Sequence, residues 1–111
     1  MKKILLLLIL SFALYGCSDN TTVDIKKIMS ENEYIIIDVR TQQEYISSHI
    51  VGAINIPYDQ IHENIKLDSN KILFVYCMSG TRSKIAFDTL VKLGYKVYDL
   101  GAFSEIDLPK E

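Results

Sequence analysis

Short apolar runs alternate with segments of helical spacing over most of the chain. The clearest runs are residues 34–39 and 71–76, which are almost entirely aliphatic and aromatic. Continuous runs of this kind are typical of strands buried on both faces of a sheet. Shorter strands are predicted at residues 53–55 and 96–100, and a very short extended stretch is predicted around residues 22–23.

Helical segments separate these strands. Asp24 can cap a helix that carries its apolar residues on one face, namely Ile25, Ile28 and Met29. Residues 41–44, Thr-Gln-Gln-Glu, match a capping box and predict a short helix to about Ser48. Residues 58–64 predict a single helical excursion that carries Ile61.

The most regular helical spacing covers residues 83–93, with apolar positions at Ile85, Ala86, Leu90 and Leu93. Gly94 follows at the usual position for ending a helix. Because strands and helices alternate, we expect an α/β fold with a mostly parallel sheet in a single domain.

The first 16 residues follow a different pattern and take no part in this fold prediction. Lys2 and Lys3 precede residues 4–14, an apolar run interrupted only by Ser11. This is the layout of a secretory signal peptide. The run is too short for a membrane-spanning helix, which needs about twenty residues. A buried N-terminal helix is the alternative interpretation.

Residues 14–17, Leu-Tyr-Gly-Cys, resemble the lipobox of bacterial lipoproteins. The resemblance implies cleavage after residue 16, lipidation of Cys17, a tether over residues 17–21 and a domain over residues 22–111. Tyr15 departs from the pattern, in which a small or β-branched residue is usual. Plain secretion and an uncleaved signal anchor are the alternatives.

The same resemblance implies an exported protein anchored to the cell envelope by its lipid. Ser18 follows the lipidated cysteine and is not an inner-membrane retention signal. We therefore expect the periplasmic face of the outer membrane where the organism has one, and otherwise the outer face of the cell membrane.

Length and charge narrow the classes of function. The chain has 111 residues, which leaves room for one domain. Its formal net charge is −2, and losing Lys2 and Lys3 with the signal peptide makes it −4. A mildly acidic chain without a basic stripe argues against a nucleic-acid partner. We expect no cofactor and no metal site.

The chain has two cysteines, Cys17 and Cys77. Lipidation converts the sulfur of Cys17 to a thioether, so Cys77 is left as the free thiol without a disulfide partner. An unpaired thiol in an exported protein needs an explanation, because extracytoplasmic compartments favour oxidation. A disulfide between the two cysteines is conceivable only where lipidation fails.

Cys77 lies between a predicted strand and the following helix, at the sheet edge where open α/β folds bind ligands. Backbone amides and the positive end of the helix dipole stabilise an anion there, which lowers the pKa of a thiol. Gly80 allows a tight loop and Arg82 adds a positive charge. Hydroxyl groups come from Ser79, Thr81 and Ser83. The alternative is a buried apolar cysteine without a chemical role.

Residues 77–83, Cys-Met-Ser-Gly-Thr-Arg-Ser, resemble the active-site loop of rhodanese domains, with four residues between cysteine and arginine. Four further segments match the family in the same order, over residues 22–101. They are Asp38-Val39-Arg40, Glu44-Tyr45, the run from His49 to Pro57, and Leu93-Gly94-Tyr95.

The resemblance implies a rhodanese-like α/β domain with a roughly five-stranded parallel sheet and helices on both faces. It also implies that Cys77 accepts a sulfane sulfur from a donor such as thiosulfate or polysulfide. The resulting persulfide would pass its sulfur to a thiol or to cyanide, with ping-pong kinetics. The loop residues Met78, Ser79, Gly80, Thr81, Arg82 and Ser83 would stabilise that persulfide.

The other matched residues are expected to support the structure. Charge pairing among Asp38, Arg40 and Glu44 would organise the turn after the first long strand, and His49 would position a turn. His62 is expected to be solvated. The family's terminal helix is expected to be short or missing, because the chain has Gly101-Ala102 and Ile106 where a second glycine and a tryptophan are usual.

Two other functions stay open. A cysteine phosphatase or arsenate reductase also surrounds an anion with a cysteine and an arginine, but those loops are one residue longer. A tethered domain could instead bind a partner or sense oxidants through its thiol. The donor, the acceptor and any thiol-reducing partner are not specified by the sequence.

Overall fold

The computed structural model describes residues 23–111, and the chain divides into two compact units between Glu31 and Asn32. The first unit contains helix α1, Ile25–Glu31. Its predicted cap is confirmed, because the amide of Lys27 donates to the Asp24 carboxylate at 3.2 Å. The predicted signal peptide, Cys17 and the tether lie outside the described residues.

The second unit contains a parallel sheet of four strands: β1 (Tyr34–Asp38), β2 (Ile54–Asn55), β3 (Ile72–Cys77) and β4 (Val97–Ala102). Their order across the sheet is β2-β1-β3-β4. The fifth strand expected around residues 22–23 is not found in the described residues, since Val23 lies outside any strand. The strand count within residues 23–111 is therefore four.

Two helices accompany the sheet, α2 (Gln42–Ser47) between β1 and β2, and α3 (Thr81–Lys92) between β3 and β4. The chain moves outward from β1 in one direction and from β3 in the other. Because crossover connections between parallel strands are right-handed, α2 and α3 pack on opposite faces of the sheet. The reversal between β1 and β3 is the switch point at which such sheets bind ligands.

The core lies around β3, whose six residues are all buried, as predicted from its continuous apolar run. Ala86 and Leu90 of α3 pack into the same cluster as Ile37 and Val75. The cluster holds the carboxyl ends of β1 and β3 side by side. Residues at those two strand ends are therefore held in fixed positions by the packed core.

One predicted helix differs from the structure, and the terminal one agrees with it. Residues 58–64 contain only one 3-10 turn, Tyr58–Gln60, because the backbone turns extended at Ile61 to bury that side chain. His62 is exposed beyond this turn. The terminal helix is reduced to a 3-10 turn, Phe103–Glu105, as expected. Beyond it, Lys110 pairs antiparallel with Ile50.

No helix within residues 23–111 combines the length and the apolar character needed to span a membrane.

Candidate active site

Cys77 is the last residue of β3, and its side chain is completely buried. Two backbone amides donate hydrogen bonds to its sulfur, that of Gly80 at 3.0 Å and that of Ser83 at 3.3 Å. Amides directed at a sulfur stabilise the thiolate more than the thiol. The loop therefore curls around Cys77 as a small anion-binding nest.

Gly80 makes this curl possible because its φ angle of +100° belongs to the left-handed region that favours glycine. A methyl group placed there would lie 4.0 Å from the Cα of Gly101, which is ordinary contact. The requirement for glycine is conformational and not steric. Helix α3 starts immediately afterwards at Thr81, two residues earlier than predicted. Its positive end thus faces the sulfur.

Several effects act on the pKa of Cys77. Burial raises it, but hydrogen bonds from the hydroxyl and amide of Ser83 and from the amides of Gly80 and Ser79 lower it more, so the net shift is downward. The Ser83 hydroxyl has a single proton, and the Gly80 carbonyl oxygen at 3.1 Å is an alternative acceptor for it. Of the three predicted hydroxyl residues, Ser83 is buried, whereas Ser79 and Thr81 are exposed at the rim.

Arg82 forms a bidentate ion pair with Glu44, with nitrogen–oxygen distances of 2.8 and 3.1 Å. Of the three residues expected to pair, Asp38 and Arg40 do so, whereas Glu44 forms its ion pair with Arg82. Glu44 sits in the first turn of α2, where it completes the predicted capping box with Thr41. The hydrogen bond from Arg82 is the main cause that lowers the pKa of Glu44 to about 2. The pair ties α2 to α3 beside Cys77.

Asp38 and Arg40 form a second, fully buried ion pair at the end of β1, with a closest distance of 2.6 Å. Arg40 also donates to the carbonyl oxygen of Ser48 at 2.6 Å, and its guanidinium lies over the ring of Phe103. The hydroxyl of Tyr76 donates to Asp38 at 2.7 Å. This network holds the turn after β1 against the end of β3.

Tyr76 is the residue of this network that the sequence does not single out. It ends an apolar run, and its ring packs like any other core aromatic. Burial raises the pKa of its hydroxyl, which therefore stays protonated and able to donate. The one available signal is its place immediately before Cys77.

His49 lies away from the cysteine loop. Its Nδ1 is 2.8 Å from the carbonyl oxygen of Tyr45, on whose ring it stacks, and its Nε2 is 3.4 Å from Glu111. Met78 is 44% exposed next to Cys77. Within residues 23–111, no group of three or more His, Cys, Asp and Glu side chains is placed to hold a metal ion.

Comparison with known proteins finds several that are similar to this chain in sequence. The chain is 38% identical over 78 residues to thiosulfate sulfurtransferase PspE of Escherichia coli, which covers 67% of this chain and 75% of that protein. It is 33% identical over 76 residues to thiosulfate sulfurtransferase GlpE of Coxiella burnetii, covering 67% and 71%. The chain spans only 26% of a relative from Porphyra purpurea and 39% of one from Bacillus subtilis.

Solved structures show the same similarity. A rhodanese with anions from E. coli superposes with a TM-score of 0.65 at 36% identity, over 70% of this chain and 96% of that one. A rhodanese-related protein from Thermoplasma volcanium gives a TM-score of 0.67 at 30% identity, over 79% and 91%. The family model described as the rhodanese-like domain matches residues 21–106. This chain therefore belongs to the family of rhodanese-like domains.

Proposed function

We propose that this chain is a sulfurtransferase that carries a sulfane sulfur as a persulfide on Cys77. The observation that carries the proposal is the pair of amide hydrogen bonds to the Cys77 sulfur, from Gly80 and Ser83. They stabilise the negative charge of the Cys77 thiolate, which attacks the donor in the first step and is the leaving group when the persulfide gives up its sulfur. Two relatives named as thiosulfate sulfurtransferases support the same reaction class.

The reaction divides into two displacements at sulfur. The Cys77 thiolate attacks the sulfane sulfur of the donor, forming a new S–S bond while the donor's own S–S bond breaks. Thiosulfate leaves as sulfite, and a polysulfide leaves one sulfur shorter. In the second step a thiolate or cyanide attacks the terminal sulfur and restores the Cys77 thiolate. The covalent intermediate between the steps predicts ping-pong kinetics.

Intact-mass measurement after exposure to a sulfane donor tests this proposal. We expect one added sulfur atom on the wild-type protein, lost on addition of cyanide as thiocyanate forms. Cys77→Ala should gain no sulfur, whereas Cys17→Ser is the matched control and should gain it normally. If the wild type gains no sulfur from thiosulfate, polysulfide or an organic persulfide, the sulfurtransferase function is wrong.

Two alternative functions would give different results with the same purified protein. A redox-sensing thiol would form a sulfenic acid with peroxide without turning over sulfur donors. A phosphatase or arsenate reductase would hydrolyse an aryl phosphate or reduce arsenate. The neutral nest of amides and the short cysteine-to-arginine spacing favour a sulfur atom over a tetrahedral oxyanion.

We also propose that the domain is exported and anchored to the cell envelope through lipidated Cys17. The family match begins at residue 21, so the lipobox and residues 17–20 of the tether precede it. Labelling cells with a fatty-acid probe should mark the wild type but not Cys17→Ser. An unlabelled wild type would contradict the anchor without affecting the proposed chemistry of Cys77.

A further inference from the structure

The ion pair between Glu44 and Arg82 lies at the mouth of the cysteine loop. Both guanidinium nitrogens of Arg82 face the two carboxylate oxygens of Glu44, and each side chain is 27% exposed. Arg82 lies between Gly80 and Ser83, whose amides bind the Cys77 sulfur. The hydrogen bond to Glu44 is the main cause that raises the pKa of Arg82, and the charge of Cys77 raises it further. The two oxygens of Glu44 are thus bound to a cation that interacts electrostatically with the thiol.

In the segments that carry Glu44 and Cys77, the other basic residues are paired as well. In the described segments 38–48 and 77–84, the basic residues are Arg40, Arg82 and Lys84. Each has a carboxylate partner, respectively Asp38, Glu44 and Asp88. These two segments therefore offer an incoming anion the backbone amides and the start of α3, but no unpaired positive charge.

This charge distribution affects sulfur donors unequally. Thiosulfate carries two negative charges and an alkyl persulfide carries one, while the attacking Cys77 thiolate adds another. The repulsion between thiolate and donor grows with the charge of the donor, and a neutralised cation does little to offset it. A site of this kind disfavours the dianion.

We propose that Glu44 is a positioning residue that holds Arg82 in an ion pair and thereby makes the Cys77 site prefer singly charged persulfides over doubly charged thiosulfate. The inference rests on the sulfurtransferase function proposed above. It assigns a donor preference to a side chain that lies on α2 and takes no part in bond making.

Both donors use the same displacement, so the comparison isolates their charge. With thiosulfate, the Cys77 thiolate forms an S–S bond to the sulfane sulfur and sulfite leaves with two negative charges. With an alkyl persulfide, the same bond forms to the terminal sulfur and the alkyl thiolate leaves with one. No oxidant or reductant is consumed in either case, and Cys77 ends as a persulfide.

Glu44→Gln tests the proposal, because glutamine keeps the capping interaction with Thr41 while it removes the charge. The measurement is the ratio of kcat/KM for thiosulfate to kcat/KM for an alkyl persulfide that carries no other charge. We expect the ratio to rise about five- to tenfold, the effect of one released charge acting on donors that differ by one charge. A ratio within about twofold of the wild-type value would contradict the proposal.

Three further variants separate charge from structure. Glu33→Gln removes a carboxylate from the exposed Lys71 pair, which precedes the starts of β1 and β3 at the opposite edge of the sheet, and should leave the ratio unchanged. Glu44→Asp keeps the charge and should keep the wild-type preference. The double variant Glu44→Gln with Arg82→Gln should return to the wild-type ratio, since it contains no released cation. If the double variant keeps the raised ratio, Arg82 is not the mediator and the proposal fails.

Alkylation of Cys77 by iodoacetamide distinguishes failure of this inference from failure of the proposed function. The released Arg82 should shift the pH midpoint of alkylation downward in Glu44→Gln, whether or not the protein transfers sulfur. A shifted midpoint in a protein that no donor can load would overturn the sulfurtransferase function and the donor preference with it. An unshifted midpoint in a protein that loads normally would overturn the role of Glu44 alone.

Discussion

The hydroxyl of Tyr76 lies 2.7 Å from a carboxylate oxygen of Asp38, and this hydrogen bond joins the last residue of β1 to the end of β3. The same hydroxyl accepts a hydrogen bond from the amide of Ile50 at 3.0 Å. Tyr76 therefore connects three segments that meet beside Cys77. Cys77, the next residue, carries the proposed chemistry. Tyr76 holds in place the end of β3 to which Cys77 belongs.

Tyr76→Phe should lower the free energy of unfolding by about 1–3 kcal/mol, because it leaves a buried amide without an acceptor and removes a donor from Asp38. Urea unfolding measures this change. Tyr34→Phe is the control, since Tyr34 is 41% exposed and should change stability by less than about 0.5 kcal/mol. Equal losses in the two variants would show that the Tyr76 hydroxyl contributes nothing specific.

Gly80→Ala should slow alkylation of Cys77 and cost about 1–2 kcal/mol of stability, because alanine is strained at a positive φ. Relief of that strain would move the amide that binds the sulfur. Gly94→Ala is a matched control, since Gly94 has a φ of +95° and open space around its Cα. It should show a similar stability loss with normal alkylation. Slow alkylation in both variants would mean that general destabilisation is responsible.

Ser83→Ala should raise the pKa of Cys77, because the Ser83 hydroxyl is the largest of the contributions that lower it. The pH dependence of iodoacetamide alkylation reports the change as an upward shift of its midpoint. Thr89→Ala removes a hydroxyl further along the same helix, one that donates to the carbonyl oxygen of Ile85, and should leave the midpoint unchanged. An unaltered midpoint in Ser83→Ala would assign the lowered pKa to the backbone amides alone.

The lowered pKa of Cys77 also predicts how stability changes with pH. Between the folded-state pKa and the ordinary value of about 8.5, the unfolded chain binds the proton that the folded chain has lost. The stability of the wild type relative to Cys77→Ser should therefore rise with pH across this interval and level off above it. Urea unfolding with a reductant present measures the difference. A difference that falls with pH would contradict a stabilised thiolate.

The ion pair of Glu44 predicts a second dependence of stability on pH, in the acidic range. Its pKa, lowered to about 2 by Arg82, means that the ion pair contributes fully above pH 4.5 and is lost as the pH falls towards 2. Glu44→Gln should be less stable than the wild type by about 1 kcal/mol near neutral pH, since the partly exposed pair is screened by solvent. The difference should shrink in acid. A difference independent of pH would point to packing in place of charge.

The strands and the cysteine loop could be predicted because their signals are local. Residues 34–39 and 71–76 are apolar except for Asp38 and Lys71, which is typical of strands covered on both faces. The capping box at Thr41 and Glu44 could also be predicted, because its two hydrogen bonds join residues three positions apart. The start of α3 lies two residues before the predicted one, since Gly80 caps the helix through its backbone conformation and not through a side chain.

The ion-pair partners and the hydrogen bond of Tyr76 could not be predicted from local sequence patterns. Glu44 and Arg82 are 38 residues apart, as are Asp38 and Tyr76, so no local spacing links either pair. They meet because β1 and β3 are adjacent in the sheet, with Asp38 opposite Tyr76 in the register. The sequence by itself determines that the loop contains the thiol of Cys77, the glycine at position 80 and a charged residue at position 82. The choice of partner for each charge belongs to the fold, because an ion pair forms between the groups that strand pairing brings together.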